Sequence, residues 1–327
     1  MNKFKKIFNP EYFQGNIKSN NYFEGWYYKL TNLEESFSYA IIPGVSLSDS
    51  SHAFIQVIEG STGKTYNFTF DLKDFSYGTN EFFVKIGDNV FAKKSIKLNL
   101  KNEEFELSGI IDFDEVVDFP KNILSPGIMG IFSYIPYMQC NHGVVNITHK
   151  TSGQLLLNNI KLPMDNGYGY IEKDWGNSFP SSWLWLQGNN FENTEASFML
   201  SVANVPFMGS EFVGFLGFLY FDGEVHKFAT YNRSKIKNIE LNGNNLSVTI
   251  KKNQYTLKIS ATNDGVGTLK APVNGSMTST VNESINANIT ITLEKDNEVI
   301  FQDTSYMCGM EVSELSDELI GKINKGS

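Results

Sequence analysis

The feature that most restricts what this chain can become is its punctuation. Short β-branched or aromatic runs alternate with glycine, asparagine and aspartate turn signals along almost the whole length. Residues 37–42, 53–58 and 64–70 open the series, and the last alternates apolar with polar. Segments 95–100 and 104–111 continue it, parted by Lys101-Asn102-Glu103. Segments 144–149 and 154–160 flank Thr151-Ser152-Gly153, which reads as a hairpin turn. Later strands are expected at 182–191, 196–203, 212–221 and 224–231, the last two joined by Asp222-Gly223. The final third repeats the theme at 234–241, 245–251, 255–261, 285–294 and 298–304, with Asn242-Gly243 as one of its turns. One helix is expected, over 316–325, where Ser316 can cap and Leu319, Ile320 and Ile323 share a face.

The fold class that follows is all-β and antiparallel. About twenty strands must close into barrels or sandwiches to remove their edges, and small barrels enclose ligand cavities. That number suits two barrels better than one, in line with a chain of 327 residues. No repeat and no low-complexity linker marks the join. The expected break lies near Lys161-Leu162-Pro163, giving an N-terminal barrel over 1–162 and a C-terminal barrel over 163–327.

Charge removes several function classes. Lys+Arg 27 against Asp+Glu 36 gives a net charge of -9, which argues against a nucleic-acid partner. Arg233 is the only arginine, so bidentate clamps on phosphates are nearly absent and a phosphate-rich cofactor is disfavoured. Cys140 and Cys308 are too few for a disulfide framework or a four-cysteine zinc site. The opening residues lack the apolar core of a secretory leader before Pro10, and the best apolar run, 213–221, is short and broken by glycine. The expectation is a cytoplasmic protein with at most peripheral membrane contact; the oligomeric state stays open.

Nucleotide and hydrolase motifs are missing. Gly60-Ser-Thr-Gly-Lys64-Thr65 has glycine spacing too short for a phosphate loop and reads as a turn. Gly167-Tyr168-Gly169 lacks the third glycine and the helix of a dinucleotide fingerprint. There is no G-x-S-x-G elbow and no H-E-x-x-H. His142 and His149 stand seven apart in an expected strand, an odd offset that puts them on opposite faces, so no histidine metal site is expected.

The informative residues concentrate in three segments. All four tryptophans lie in two of them, beside carboxylates. In Asn21-Tyr-Phe-Glu-Gly-Trp-Tyr-Tyr-Lys29 an extended chain puts Glu24, Trp26 and Tyr28 on one face. In the segment from Gly167 to Phe191, Tyr168, Tyr170, Glu172 and Asp174 share a face, as do Trp183, Trp185 and Gln187. The third, Ser125 to Gly143, is apolar, too rich in glycine and proline for a helix, and ends on Gln139, Asn141 and His142.

These segments resemble the tocopherol cyclase family. The matching pieces are Phe23-Glu-Gly-Trp-Tyr-Tyr-Lys29, the stretch Met129-Gly130 through Pro136 to Cys140-Asn-His-Gly143, and Glu172-Lys-Asp-Trp-Gly176 with Phe179-Pro180 and Trp183-Leu-Trp-Leu-Gln187. Weaker echoes are Leu269-Lys-Ala-Pro272 and Asp303-Thr-Ser-Tyr-Met307, so the resemblance spans about residues 20–312. It implies a pair of lipocalin-like barrels, as in the distantly related carotenoid hydratases (hydroxyneurosporene synthases). It also implies ring closure of a prenylated hydroquinone, the reaction by which plant members form the chromanol ring of vitamin E.

Such a reaction needs a proton delivered to a trisubstituted alkene, after which the phenolic oxygen traps the tertiary cation. Burial can keep a carboxyl group protonated for this purpose, and aromatic faces stabilise a nearby cation by roughly 0.5–2 kcal/mol each. The candidate acids are Glu172, Asp174 and Glu24, in that order, with His142 as a base on the hydroquinone hydroxyl. Trp26, Tyr28, Tyr168, Trp175, Trp183 and Trp185 are expected to line the pocket, with Gln187 and Asn141 as polar contacts. No cofactor and no metal are expected, and the partner is a hydrophobic small molecule. The structural alternative pairs Glu24 with Lys29 or Glu172 with Lys173, makes His142 a capping or core residue, and uses the tryptophans as barrel plugs. The functional alternatives are a non-catalytic carrier of a lipid or isoprenoid and an isoprenoid hydratase.

Overall fold

The computed structural model describes residues 3–326 except 35–36, 137, 208, 264 and 314–315. It is nearly all β, with two large antiparallel sheets, one of them nearly closed into a barrel, as the sequence leads one to expect. After a short helix α1 (Lys3–Ile7), the first sheet begins with β1 (Tyr22–Thr31), β2 (Ser38–Leu47), β3 (His52–Glu59) and β4 (Thr65–Asp71). Four short strands follow: β5 (Phe75–Tyr77), β6 (Phe83–Ile86), β7 (Asn89–Ala92) and β8 (Ser95–Lys101). It is completed by β9 (Glu106–Asp118), β10 (Cys140–Leu157), β11 (Ile160–Pro163) and β12 (Gly167–Gly176). Its order is β4-β3-β2-β1-β12-β10-β9-β8-β7-β6-β5, with β11 beside β10. β12 therefore lies between β1 and β10, which makes it the central strand for everything that follows.

The second sheet holds β13 (Trp183–Gly188), β14 (Ser197–Phe207), β15 (Ser210–Phe221), β16 (Glu224–Ala229) and β17 (Lys235–Asn242). It continues with β18 (Asn245–Lys252), β19 (Tyr255–Thr262), β20 (Gly267–Val273), β21 (Ser276–Lys295) and β22 (Glu298–Val312). Its order is β16-β15-β14-β13-β22-β21-β19-β18-β17, with β20 beside β21. Helix α2 (Ser316–Gly326) matches the expected C-terminal helix and adds Leu319 and Ile323 to the core of this half.

The chain divides into two compact units, but not at residue 163. The first unit is Met1–Phe179 plus Leu269–Thr280, and the second is Pro180–Thr268 plus Val281–Ser327. The expected boundary fails because β12 is hydrogen-bonded on both edges into the first sheet, to β1 and to β10. The Glu172-to-Gly176 motif thus belongs to the first unit and the Trp183-to-Gln187 motif to the second. The Leu269–Thr280 segment is fastened within the first unit by its main chain. Gln56 and Lys270 exchange two hydrogen bonds, at 3.1 and 2.8 Å, and Ser46 Oγ donates to the Gly275 carbonyl at 2.6 Å.

Each unit has its own core. Alternation sends Trp26, Tyr28, Leu30, Ile41 and Ile171 into the first, and Leu184, Leu186, Phe198 and Leu200 into the second. Thr151-Ser152-Gly153 is not a turn: β10 runs straight through it. Gly153 has φ +115° and lies where an added Cβ would come within 2.5 Å of the Ile110 carbonyl, so the glycine permits a close approach to the paired strand β9. The turn comes later, at Asn158-Asn159, both with positive φ (48° and 68°), the geometry of a tight hairpin. His142 pairs with Asp174 and His149 with Gly169 on β12, through two register shifts in β10. The His149 ring packs tilted against the core residue Phe113, with centres 4.1 Å apart, and its burial pushes the imidazole down to about 3, so it is neutral. Among the described residues no helix is long and apolar enough to cross a membrane.

The His149 ring occupies the space a side chain on Gly169 would need. Gly169→Ala is therefore expected to cost about 1–3 kcal/mol by overpacking. A lower urea midpoint with an unchanged slope would show it; an unchanged midpoint would mean that the ring moves aside without cost.

Candidate functional site

β12 reads Gly167-Tyr-Gly-Tyr-Ile-Glu-Lys-Asp-Trp-Gly176, and its pleat sorts these residues onto two sides. Ile171, Lys173 and Trp175 face the core side of the first unit; Tyr170, Glu172 and Asp174 face away from it. The neighbouring strands are sorted in the same way. Trp26 stands opposite Lys173 and Glu24 opposite Trp175 on β1, whereas Tyr27 stands opposite Glu172. The residues expected to form one site are thus separated by the thickness of the sheet.

On the core side, Glu24 is fully buried and saturated with donors. Its carboxylate forms an ion pair with Lys173 Nζ and accepts the Tyr22 hydroxyl. The backbone N–H groups of Gln14 (2.8 and 2.9 Å) and Gly15 (3.0 Å) also donate to it. Lys173 donates in turn to the carbonyls of Pro10 at 2.7 Å and Tyr12 at 2.6 Å. Its ammonium lies 4.6 Å from the Trp26 ring centre and 4.9 Å from that of Trp175. Burial lowers the Lys173 ammonium to about 8, with Glu24 working against the drop. Trp26 Nε1 donates to the Glu11 carbonyl at 2.7 Å, and Asn141 Nδ2 to the Trp175 carbonyl at 3.3 Å. Tyr28 donates to the Ala92 carbonyl at 3.1 Å within the core.

Glu24, expected as a candidate acid, is engaged here as the anchor of the chain segment 10–15. Its partner is Lys173, not Lys29, because the pleat points Lys173 and Glu24 to the same side. Trp26 and Trp175 enclose that ammonium instead of lining a cavity with Glu172.

On the other side of β12 four polar side chains meet. His142 Nδ1 donates to Asp174 Oδ1 at 2.9 Å, across a directly paired position of β10 and β12. His142 Nε2 lies 3.4 Å from Glu172 Oε2, within ion-pair range, yet that N–H has no aligned hydrogen-bond acceptor among the described residues. Tyr170 donates its hydroxyl to the same Glu172 oxygen at 2.7 Å. The His142 backbone N–H points to Met129 Sδ at 3.2 Å. Burial alone would lower the imidazole, but Glu172 and Asp174 outweigh it and hold His142 well above the usual histidine range. The two carboxylates thus favour the imidazolium form of His142. Burial, then Glu172, pushes the Tyr170 phenol well up, so it stays a donor. Burial, aided by Asp174, likewise keeps Cys140 a thiol, a poor nucleophile. The side chains of His142 and Glu172 are 12% and 6% exposed, that of Asp174 31%, so the cluster opens to solvent at Asp174.

The remaining candidates lie elsewhere. Tyr168 is on the Tyr170 side of β12 with Lys150 Nζ 4.1 Å from its ring centre. Trp183, Trp185 and Gln187 belong to the second unit, on the side of β13 away from Leu184 and Leu186. Trp183 Nε1 donates to Glu311 Oε2 at 2.6 Å, and Gln187 Nε2 to Asn189 Oδ1 at 3.2 Å. Trp185 lies against Gly309, where any Cβ would overlap its ring. Sequence reasoning missed Met129 and the 10–15 segment as parts of the arrangement, and it gave Tyr170 no role beyond the face it shares with Glu172. The i, i+2 spacing of Tyr170 and Glu172 was the available signal for that hydrogen bond. Among the described residues no group of three or more His, Cys, Asp or Glu is arranged to hold a metal ion.

A family model described as tocopherol cyclase-like matches residues 116–314, a span that contains β10, β12 and the whole His142 cluster. The chain belongs to the tocopherol cyclase-like family. No curated protein matches significantly. Several solved structures share the fold at low identity. A putative AttH from Nitrosomonas europaea is 13% identical with a TM-score of 0.52, over 88% of this chain and 92% of that one. CghA with Sch210972 is 9% identical with a TM-score of 0.59, over 89% and 88%. Kievitone hydratase from Nectria haematococca is 14% identical with a TM-score of 0.50, over 89% of each chain. The same two-sheet architecture therefore recurs over nearly the full length of proteins with little sequence in common.

Two measurements test the two sides of β12. Glu24→Gln leaves the Lys173 ammonium buried without its counter-ion and should cost about 3–5 kcal/mol in chemical unfolding. His142 binds its proton more tightly folded than unfolded, so the stability it adds is complete below about pH 6.5 and is lost as pH rises through its higher folded value. The stability difference between the native chain and His142→Gln should therefore shrink from pH 7 to alkaline pH. A difference that is constant or grows would refute the raised protonation.

Proposed function

We propose that the chain is a cofactor-independent isomerase that closes the ring of a prenylated hydroquinone or a related isoprenoid. The observation that carries this reading is the His142 imidazolium, held from both sides by carboxylates, whose Nε2–H has no aligned acceptor among the described residues. A buried donor in that state favours any group that can take the proton.

The roles differ from those read in the sequence. His142 is the proton donor, and Glu172 takes the phenolic proton. In the step proposed, Nε2–H adds to the less substituted alkene carbon while the phenolic oxygen bonds to the more substituted one. The phenolic proton passes to Glu172, whose other oxygen contact, Tyr170, keeps the carboxylate oriented. Transfer of that proton across the 3.4 Å gap to Nε2 restores the starting state. Substrate and product are isomers, so no oxidant, reductant or water is consumed. The high proton affinity of His142 makes it a weak acid, a disadvantage of tenfold per pKa unit. Coupling C–O bond formation to protonation offsets this, because a free cation never has to develop fully. Tyr27, Tyr168 and Tyr170 lie on this side of the sheet, where aromatic faces can stabilise the partial charge.

Incubation of the purified protein, anaerobically, with prenylated hydroquinones of different ring and chain should give a product of unchanged mass and new retention time. His142→Gln should lower turnover about a hundredfold or more while substrate still binds, and turnover of the native chain should fall at alkaline pH as the imidazolium is lost. Undiminished turnover in His142→Gln would sink the assignment. A product heavier by one water would indicate hydration, and binding without conversion would indicate a carrier.

A further inference from the structure

Between Lys121 and Lys150 the chain carries no Asp, Glu, Lys or Arg. The first part of this stretch links β9 to β10 as a folded loop with one 3-10 turn at Gly130–Tyr134. Part of the loop is buried, and Met129 reaches the His142 backbone. The tip is the opposite: Ile123 and Leu124 are each 76% exposed, and Ile131 and Tyr134 of the 3-10 turn are exposed as well.

Many polar groups of this tip are satisfied from within. Asn122 and Ser125 exchange backbone hydrogen bonds at 2.9 and 3.1 Å. Asn122 Oδ1 accepts from the N–H groups of Leu124 and Ser125, both at 2.9 Å. Tyr134 donates its hydroxyl to the Ile123 carbonyl at 2.5 Å, and Ser125 Oγ donates to the Gly127 carbonyl at 3.0 Å. In water such economy is unnecessary, because solvent can serve these groups. In hydrocarbon it is required.

We propose that the Ile123-Leu124 tip inserts into the acyl region of a zwitterionic bilayer. Two apolar side chains on an internally bonded turn, with no charge to desolvate, suit hydrocarbon better than a protein partner, whose surface would offer a polar rim with nothing here to pair with. A net charge of -9 opposes an anionic surface, which selects the zwitterionic lipid. Tyr134 sits where an amphipathic ring is favoured at the lipid–water boundary, and Lys121, bonded to the Phe8 carbonyl at 3.0 Å, marks the water side. The proposal stands apart from the reaction above: a chain that binds vesicles and converts nothing leaves it intact.

Co-sedimentation with phosphatidylcholine vesicles tests it, comparing the native chain, Ile123→Ser/Leu124→Ser and the control Ile160→Ser. Ile160 is 64% exposed on the β10–β11 hairpin of the same unit, away from the tip in sequence. The double variant should lower the partition coefficient by about twentyfold or more, since each lost side chain removes insertion energy, and the control should change it about twofold at most. Added salt should not release the native chain. Native protein that stays in the supernatant overturns the proposal, as does a control that falls as far as the double variant. Sedimentation velocity supplies the remaining arm: a dimer that the double variant makes monomeric, with vesicle binding unchanged, would assign the tip to a second copy of the chain.

Discussion

The ammonium of Lys173, fixed between two indole rings and paired with Glu24, is the interaction around which the first unit is arranged. A charge with no solvent exposure is tolerable only where its donors and its counter-ion are all satisfied. Lys173 meets that condition through Glu24 and the carbonyls of Pro10 and Tyr12, and Glu24 through the amides of Gln14 and Gly15. The pair therefore fastens segment 10–15 to β1 and β12 at once. It also fixes the register of the two strands, because a slip by one residue would put the two charges on opposite sides of the sheet.

That register is what presents the second set of charges. With Lys173 pointing to the core side, Glu172 and Asp174 have no choice but to point away from it, and β10 brings His142 directly opposite Asp174. One strand thus carries a structural ion pair and a polar cluster on alternate residues. The two differ in how completely they are satisfied. Glu24 receives every donor it can use, whereas the cluster leaves one imidazolium N–H unaligned and opens to solvent at Asp174. Saturation suits an anchor; an unfinished hydrogen-bond network suits a group that must give up a proton.

Much of this was legible in the sequence. The all-β class followed from turn punctuation and alternation, and the i, i+2 spacing correctly put Tyr170, Glu172 and Asp174 on one side and Glu24, Trp26 and Tyr28 on one side. What the spacing could not show was that these two sides are opposite faces of the same sheet. Cross-strand partners depend on which residues meet in register, and the Trp26–Lys173 pairing joins residues far apart in the chain. Gly153 misled for a related reason. A glycine inside a strand, needed because Ile110 passes close by, looks in sequence like a glycine in a turn.

By itself, then, the sequence determined the fold class, the C-terminal helix, the face each residue takes within its own strand and the family resemblance, because all of these depend on local pattern or motif. Tertiary structure alone decided where the units divide, since β12 joins the sheet that offers it two edges. It also decided that Glu24 answers to Lys173 and His142 to two carboxylates. Those partnerships are electrostatic and long-range in sequence, and they exist only once strand register has brought the charges to the same side of the sheet.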